Sequence, residues 1–187
     1  MEVEIGAQQI IAELSGREAD QDKVISEVRK IIRDCANSIK LIHAGKTEDA
    51  KKLVSQIDKK VKALPKTPYT EHLLSQLYQE IVEAKVLLAV IQKKPVPSHT
   101  ELGVDIEVYL TGLCDVVGEL RRQMLEELKA GKKQDATYYF DVMSGVYEAS
   151  IPIRFSNSIL PNFRKKQDVA RIQVEQARSE LLRHLGQ

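Results

Sequence analysis

Leu73-Leu-Ser-Gln-Leu77-Tyr-Gln-Glu80-Ile-Val-Glu83-Ala84-Lys-Val-Leu87-Leu-Ala-Val-Ile91 decides how the chain is read. Its apolar residues return every three or four positions, the period of a helix with one buried face. Leu73, Leu77, Ala84, Leu87 and Ile91 form that stripe, and Glu80 falls in the middle of it. Glu83 is flanked at helical spacing by Val86, Leu87 and Val90. A carboxylate in such surroundings is costly unless it is paired with a cation or holds a metal. The next long segment repeats the anomaly. Ile106, Tyr109, Leu110, Leu113, Val117, Leu120, Met124 and Leu128 define its apolar stripe, with Asp115, Glu119, Arg122 and Glu126 beside it. Spacings of three and four put Glu80 with Glu83, and Asp115 with Glu119, on one helical face each. Gly112 and Gly118 lie near the second pair, where residues without a side chain would let another backbone approach.

The same period extends in both directions. Val24, Val28, Ile31, Ile32, Cys35, Ile39 and Ile42 predict a helix over 18–44, with Gly16 breaking or kinking it from an earlier helical stretch. Ala50, Leu53, Val54, Ile57, Val61 and Leu64 predict a second over 47–64. The third is expected over 68–93, with Thr67 as its cap and Pro68 in its first turn. Pro95-Val-Pro97-Ser98 ends it in a loop. A fourth is expected over 105–130, closed by Gly131, and a fifth over 134–148. The last is expected over 158–185, with Ser158 as a cap and Pro161 in its first turn. Strand alternation, sequence repeats and low-complexity linkers are absent. The fold class is all-α: one domain spanning 1–187, a bundle of six or seven mostly antiparallel helices.

Composition narrows the function classes. Apolar residues make up 43% of the 187, enough for a core of Leu, Ile, Val and Ala. Cys35 and Cys114 are far apart and lack metal-binding spacing, which argues against a disulfide framework or a zinc site. The acidic Met1-Glu-Val-Glu-Ile5 does not resemble a signal peptide, and no apolar run is long enough to span a bilayer. A cytoplasmic protein with no membrane association is expected. Net charge is only +1. Its distribution is uneven: 29–66 and 164–187 are basic, whereas 1–28 and 67–128 are acidic. A basic zone beside an acidic centre suits a protein that grips a polyanion around a metal, and equally a set of solvated helix faces.

If the two acidic helices are neighbours, the four carboxylates converge into a site for a hard divalent cation, Mg²⁺ or Mn²⁺. Such an ion supports hydrolysis of a phosphate ester or anhydride. Zinc is disfavoured because His43, His72, His99 and His184 show no ligand spacing, and di-iron chemistry because Glu-x-x-His is absent. Two other readings stay open. Glu80 and Glu83 could be salt-bridged to a Lys or Arg of another helix. Asp115 and Glu119 could lie on an exposed face, with Glu119 paired to Arg122.

At these residues the sequence resembles the translin superfamily, closest to its translin-associated factor X branch. Gln79-Glu-Ile-Val-Glu-Ala84 is similar to that branch's Gln-Glu-Tyr-Val-Glu-Ala. Asp105-Ile-Glu-Val-Tyr-Leu-Thr-Gly112 resembles the family's Asp-Tyr-Leu-x-Gly, and Asp115-Val-Val-Gly-Glu-Leu-Arg-Arg122 its Asp-x-x-Gly-Glu-Leu-x-Arg. The likeness is strongest over 76–123 and weaker toward the C-terminus, through Asn157-Ser-Ile-Leu160. It implies a metal-dependent endoribonuclease with Glu80, Glu83, Asp115 and Glu119 as catalytic acids. Compactness resembles the archaeal members, and this implies a closed homo-octamer enclosing single-stranded or short duplex RNA, with DNA as an alternative partner. The family's basic nucleic-acid motif is not kept at Tyr69-Thr-Glu-His72-Leu-Leu74, where His72 is a remnant. The RNA-contacting candidates are therefore Arg122, Arg121, Arg29, Lys30, Arg33 and His72. The competing functions are a non-catalytic RNA- or DNA-binding protein, as in plain translin, an all-α nucleotide pyrophosphohydrolase, and a purely structural helical oligomer.

Overall fold

The computed structural model describes residues 5–65 and 71–186, with the backbone alone for 71–73. Among the described residues there are helices and no strands: α1 (Ala7–His43), α2 (Thr47–Lys62), α3 (Glu71–Ile91), α4 (His99–Leu102), α5 (Ile106–Lys129), α6 (Lys133–Ser150) and α7 (Phe163–Leu185). The all-α bundle expected from periodicity is therefore present. None of the helices is long and apolar enough to cross a membrane.

The stops are local chemistry. Gly45 and Gly131 adopt φ of 72° and 75°, a left-handed conformation open to glycine at little cost. The next amide of each turn then caps the preceding helix: Lys46 N–H to Leu41 O at 2.9 Å, Lys132 N–H to Glu127 O at 2.9 Å. These tight reversals fold α1 onto α2 and α5 onto α6. Lys93 takes the same backbone turn at φ 56° without being glycine. Its ammonium pairs with Asp135 at 2.9 Å and lies 3.5 Å from the Tyr138 ring centre, which holds the strained residue in place.

Three boundaries differ from expectation. Gly16 neither breaks nor ends α1, whose single helix runs through it. The loop after Pro97 contains the short α4, which starts from a capping box: Ser98 Oγ accepts from Glu101 N–H, and the Glu101 carboxylate accepts from Ser98 N–H. The last helix begins at Phe163 rather than 158, because Asn162 at φ 61° interrupts the helical path and leaves Pro161 outside. The Thr67 cap and Pro68 fall outside the described residues.

α5 is the central element. It packs against α3 on one side and against α6 and α7 on the other, while α1 covers α2 and α3. Leu77, Val82, Val86, Leu87, Val116, Val117, Leu120 and Met124 are fully buried where α3 and α5 meet the rest of one continuous core. Lys60 to Asp34 (2.7 Å) and Lys85 to Asp58 (2.6 Å) tie α2 to its neighbours. The first half of α1 is different. Every residue from Ala7 to Asp20 is exposed, including Ile10, Ile11 and Leu14.

The α3–α5 contact depends on Gly112. A Cβ there would stand 2.8 Å from Val82 Cβ, 2.9 Å from Val82 Cγ1 and 3.1 Å from Gln79 O. Gly118, also expected to permit close approach, faces open space. The two glycines therefore predict opposite outcomes. Gly112→Ala overpacks the seam and costs about 1–3 kcal/mol. Gly118→Ala removes a flexible helix-interior glycine and stabilises by about 0.5–1 kcal/mol. Urea unfolding of both variants measures the contrast.

Candidate functional site

Close approach at Gly112 sets Glu80 and Glu83 of α3 beside Asp115 and Glu119 of α5. All four are half-buried. Their charges feel one another. Burial pushes the Glu83 carboxyl up to about 8 from an ordinary 4.5, and Asp115, Glu80 and Glu119 push it in the same direction. Glu80 is raised chiefly by burial and then by Asp115. Glu119 goes the other way, held below the usual range by its hydrogen bond to His43.

The carboxylates do not close around a common centre. Among the described residues, no three His, Cys, Asp or Glu side chains stand together as a ready metal cage. Two of the acids instead face basic side chains that sequence reasoning did not find. Lys166, near the start of α7, hydrogen-bonds Asp115 Oδ2 and, at 3.0 Å, Gln79 Oε1. His43, in the last turn of α1, places Nε2 2.5 Å from Glu119 Oε2. Part of the salt-bridge alternative is thus realised, on Asp115 and Glu119 rather than on Glu80 and Glu83.

His43 is itself oriented. Gln123 Nε2 donates to Glu127 Oε1 at 2.8 Å, which turns the Gln123 carbonyl toward His43 Nδ1, also at 2.8 Å. Nδ1 is therefore the donor to Gln123, and the ring is locked with Nε2 on Glu119. The His43 side chain is only 5% exposed. Its one trace in the sequence is its place four residues after the buried Ile39, on the core-facing side of α1. Lys166 left no such trace, because a run of three basic residues reads as a solvated face.

The basic candidates separate. Arg122 is exposed, with Nη1 3.7 Å from Glu119 Oε2, the expected intrahelical partner at long range. Arg121 is clamped to α7: Nε donates to Glu180 Oε2 at 3.0 Å, Nη2 to Glu180 Oε1, and Nη1 to Gln173 Oε1 at 3.0 Å. Its guanidinium joins two helices, and this occupies the donors that an RNA contact would need. Arg29, Lys30 and Arg33 are exposed on α1, and Lys30 is paired with Glu27 at 2.6 Å. The side chain of His72 lies outside the described residues. Cys35 and Cys114 are buried, and burial first, then nearby carboxylates, pushes both thiols up to about 12.

Residues 2–179 match the model of the translin family. The chain belongs to the translin family. An uncharacterized protein of Methanocaldococcus jannaschii is 32% identical over 178 residues, covering 92% of this chain and 80% of that one. The structure of AfC3PO in complex with duplex RNA superposes with a TM-score of 0.86 at 29% identity, over 96% of both chains. A crystal structure of AfC3PO gives 0.87 at 29% identity, over 96% of this chain and 97% of that one. The likeness to apo-NeC3PO, at 21% identity and a TM-score of 0.79 over 98% and 100%, shows the fold. The translin-like bundle expected from the motifs is thus the fold observed.

Two outcomes follow from the geometry of this translin-family site. In ion-free protein, Glu83 binds a proton that the unfolded chain releases between about pH 4.5 and 8. Stability therefore falls as pH rises through that window, and Glu83→Gln flattens the slope. Urea unfolding in EDTA across pH measures it. His43→Ala strips Glu119 of its partner, costs about 1–3 kcal/mol, and raises the Glu119 pKa, which carboxyl NMR titration reads.

Proposed function

We propose that the chain is a metal-dependent endoribonuclease that cuts RNA phosphodiester bonds with Glu80, Glu83, Asp115 and Glu119, inside a closed assembly of identical subunits. One observation carries the reading: two neighbouring carboxyls of one seam are driven apart in proton affinity. Glu83 stays protonated to about pH 8, while Glu119 is held ionised by His43. Splitting the proton affinities of paired acids is how a site assigns one as acid and the other as base. The relative solved with duplex RNA supports RNA as the substrate.

The donor set fits Mg²⁺ or Mn²⁺. It consists of carboxylate oxygens, and after burial it is the charge of the other three acids that raises Glu83, so a cation would relieve that repulsion. Such an ion, once bound, neutralises charge that builds on the phosphodiester during cleavage. The chain's own residues do the rest. His43 and Gln123 fix the direction of the Glu119 carboxylate. While no ion is bound, Lys166 holds Asp115 and is itself held by Gln79. Glu83 must lose its proton before it can act as a ligand, and that proton is available to the reaction near neutral pH. Arg122, exposed beside Glu119, offers its guanidinium to a phosphate, and Arg29 and Arg33 extend the basic surface along α1.

Assembly into a homo-octamer belongs to the same reading. Its support in the protomer is the first half of α1, where Ile10, Ile11 and Leu14 stand 48%, 62% and 55% exposed on a helix that its own core does not cover. A cytoplasmic location and one domain over the whole chain complete the proposal.

A second reading, a non-catalytic nucleic-acid-binding member, is favoured by the pairing of Asp115 with Lys166 and of Glu119 with His43. Labelled duplex and single-stranded RNA distinguish the two. Cleavage that needs Mn²⁺ and stops in EDTA supports the nuclease; RNA bound but left intact with Mn²⁺ supports the binding protein. In the nuclease, Glu80→Gln and Glu119→Gln lower cleavage on the order of 100-fold or more while RNA binding and helical content persist. Full activity in either variant would sink the assignment.

A further inference from the structure

Lys166 occupies an unusual place for a lysine. It stands on α7, yet its ammonium bridges α5 and α3 by bonding both Asp115 and Gln79. Its side chain is 29% exposed, so it is not sealed in the core. It is also the basic group whose charge opposes the repulsion felt by both Glu80 and Glu83. The nearby arginines do not share this role. Arg121 is clamped to Glu180 and Gln173, and Arg122 lies at the Glu119 end of the seam.

An ammonium and a divalent ion compete for Asp115. Both draw on the charge of one carboxylate, and two cations in contact in a half-buried seam repel each other. Lysine is suited to exchange, because its charge rides on a flexible four-carbon stem with three rotatable donors. One of those donors is held by Gln79, whose carbonyl keeps the head group at the seam after Asp115 lets go.

We infer that Lys166 is an exchangeable counter-cation: it holds Asp115 while no divalent ion is bound, yields that carboxylate when the ion enters, and then offers its ammonium to a phosphate oxygen of the RNA. This rests on the metal-ion reading above and adds to it a positioning residue and a form of regulation. Ion and RNA become linked ligands. A phosphate that stabilises the released ammonium strengthens ion binding, and by reciprocity the ion strengthens phosphate binding.

The experiment uses the full chain in its native assembly, with Lys166→Met, Lys166→Gln and Lys166→Arg. Mn²⁺ binding is read by electron paramagnetic resonance, with and without a non-cleavable RNA, and cleavage is then measured at saturating Mn²⁺. Circular dichroism confirms folding, and the Gln variant replaces Met if Met fails to fold. Without RNA, the uncharged variants bind Mn²⁺ more tightly than the parent, on the order of tenfold, whereas Lys166→Arg stays near the parent. In the uncharged variants RNA no longer improves Mn²⁺ affinity, and kcat falls at saturating Mn²⁺. Unchanged or weaker Mn²⁺ binding in the uncharged variants overturns the exchange. Tighter binding with an unchanged kcat overturns the hand-over to phosphate. A parent protein that neither binds Mn²⁺ nor cuts RNA overturns the metal reading itself, and the inference with it.

Discussion

The site rests on an absence of atoms at Gly112. Val82 Cβ would stand 2.8 Å from any side chain begun there, so α3 and α5 can lie this close only because glycine occupies the position. Backbone proximity sets the distance between acids carried on different helices, and that distance sets how strongly their charges couple. A wider seam would leave two independent pairs of surface carboxylates. The close seam makes them one electrostatic unit, in which Glu83 is pushed to about 8 while Glu119 is held down.

The unit is completed from far along the chain. His43 ends α1 and Lys166 opens α7, so two helices distant in sequence deliver basic side chains to the two acids of α5. The Glu119, His43, Gln123 and Glu127 chain is the more rigid arm, because each partner is fixed by the next. Lys166 is the more adaptable arm, since part of its surface remains open. One acid pair is thus anchored at its far end and adjustable at its near end. Such a division keeps the geometry of Glu119 steady while Asp115 changes partner.

Local periodicity made the fold legible. A three-to-four repeat marks each helix, and Gly45, Gly131 and Pro95 mark the stops. The misjudged boundaries depend on backbone angles that composition does not reveal: Gly16 stays helical, and Asn162 turns left-handed just after a proline. Glu80 and Glu83 were visible because a carboxylate in an apolar stripe violates a local rule, whereas Asp115 and Glu119, on a polar stripe, stood out by their spacing and by the family motif they resemble. His43 and Lys166 were invisible because they obey local rules and acquire meaning only through contacts with acids 76 and 51 residues away. Arg121 looked like its neighbour Arg122, yet one helical step turns it from solvent into the α7 interface.

The two buried thiols complete the character of the seam. Burial pushes both Cys35 and Cys114 up to about 12, helped by Glu80 and Glu83 at Cys35 and by Asp115 at Cys114. At neutral pH they carry their protons and present neither a nucleophile nor a soft ligand. Sulfur therefore contributes volume to this region but no coordination, so thiophilic ions find no foothold beside the carboxylates. The same protonation shields both residues from oxidants, which attack thiolates first. Of the oxygen and sulfur in this neighbourhood, only the carboxylate oxygens are prepared to bind.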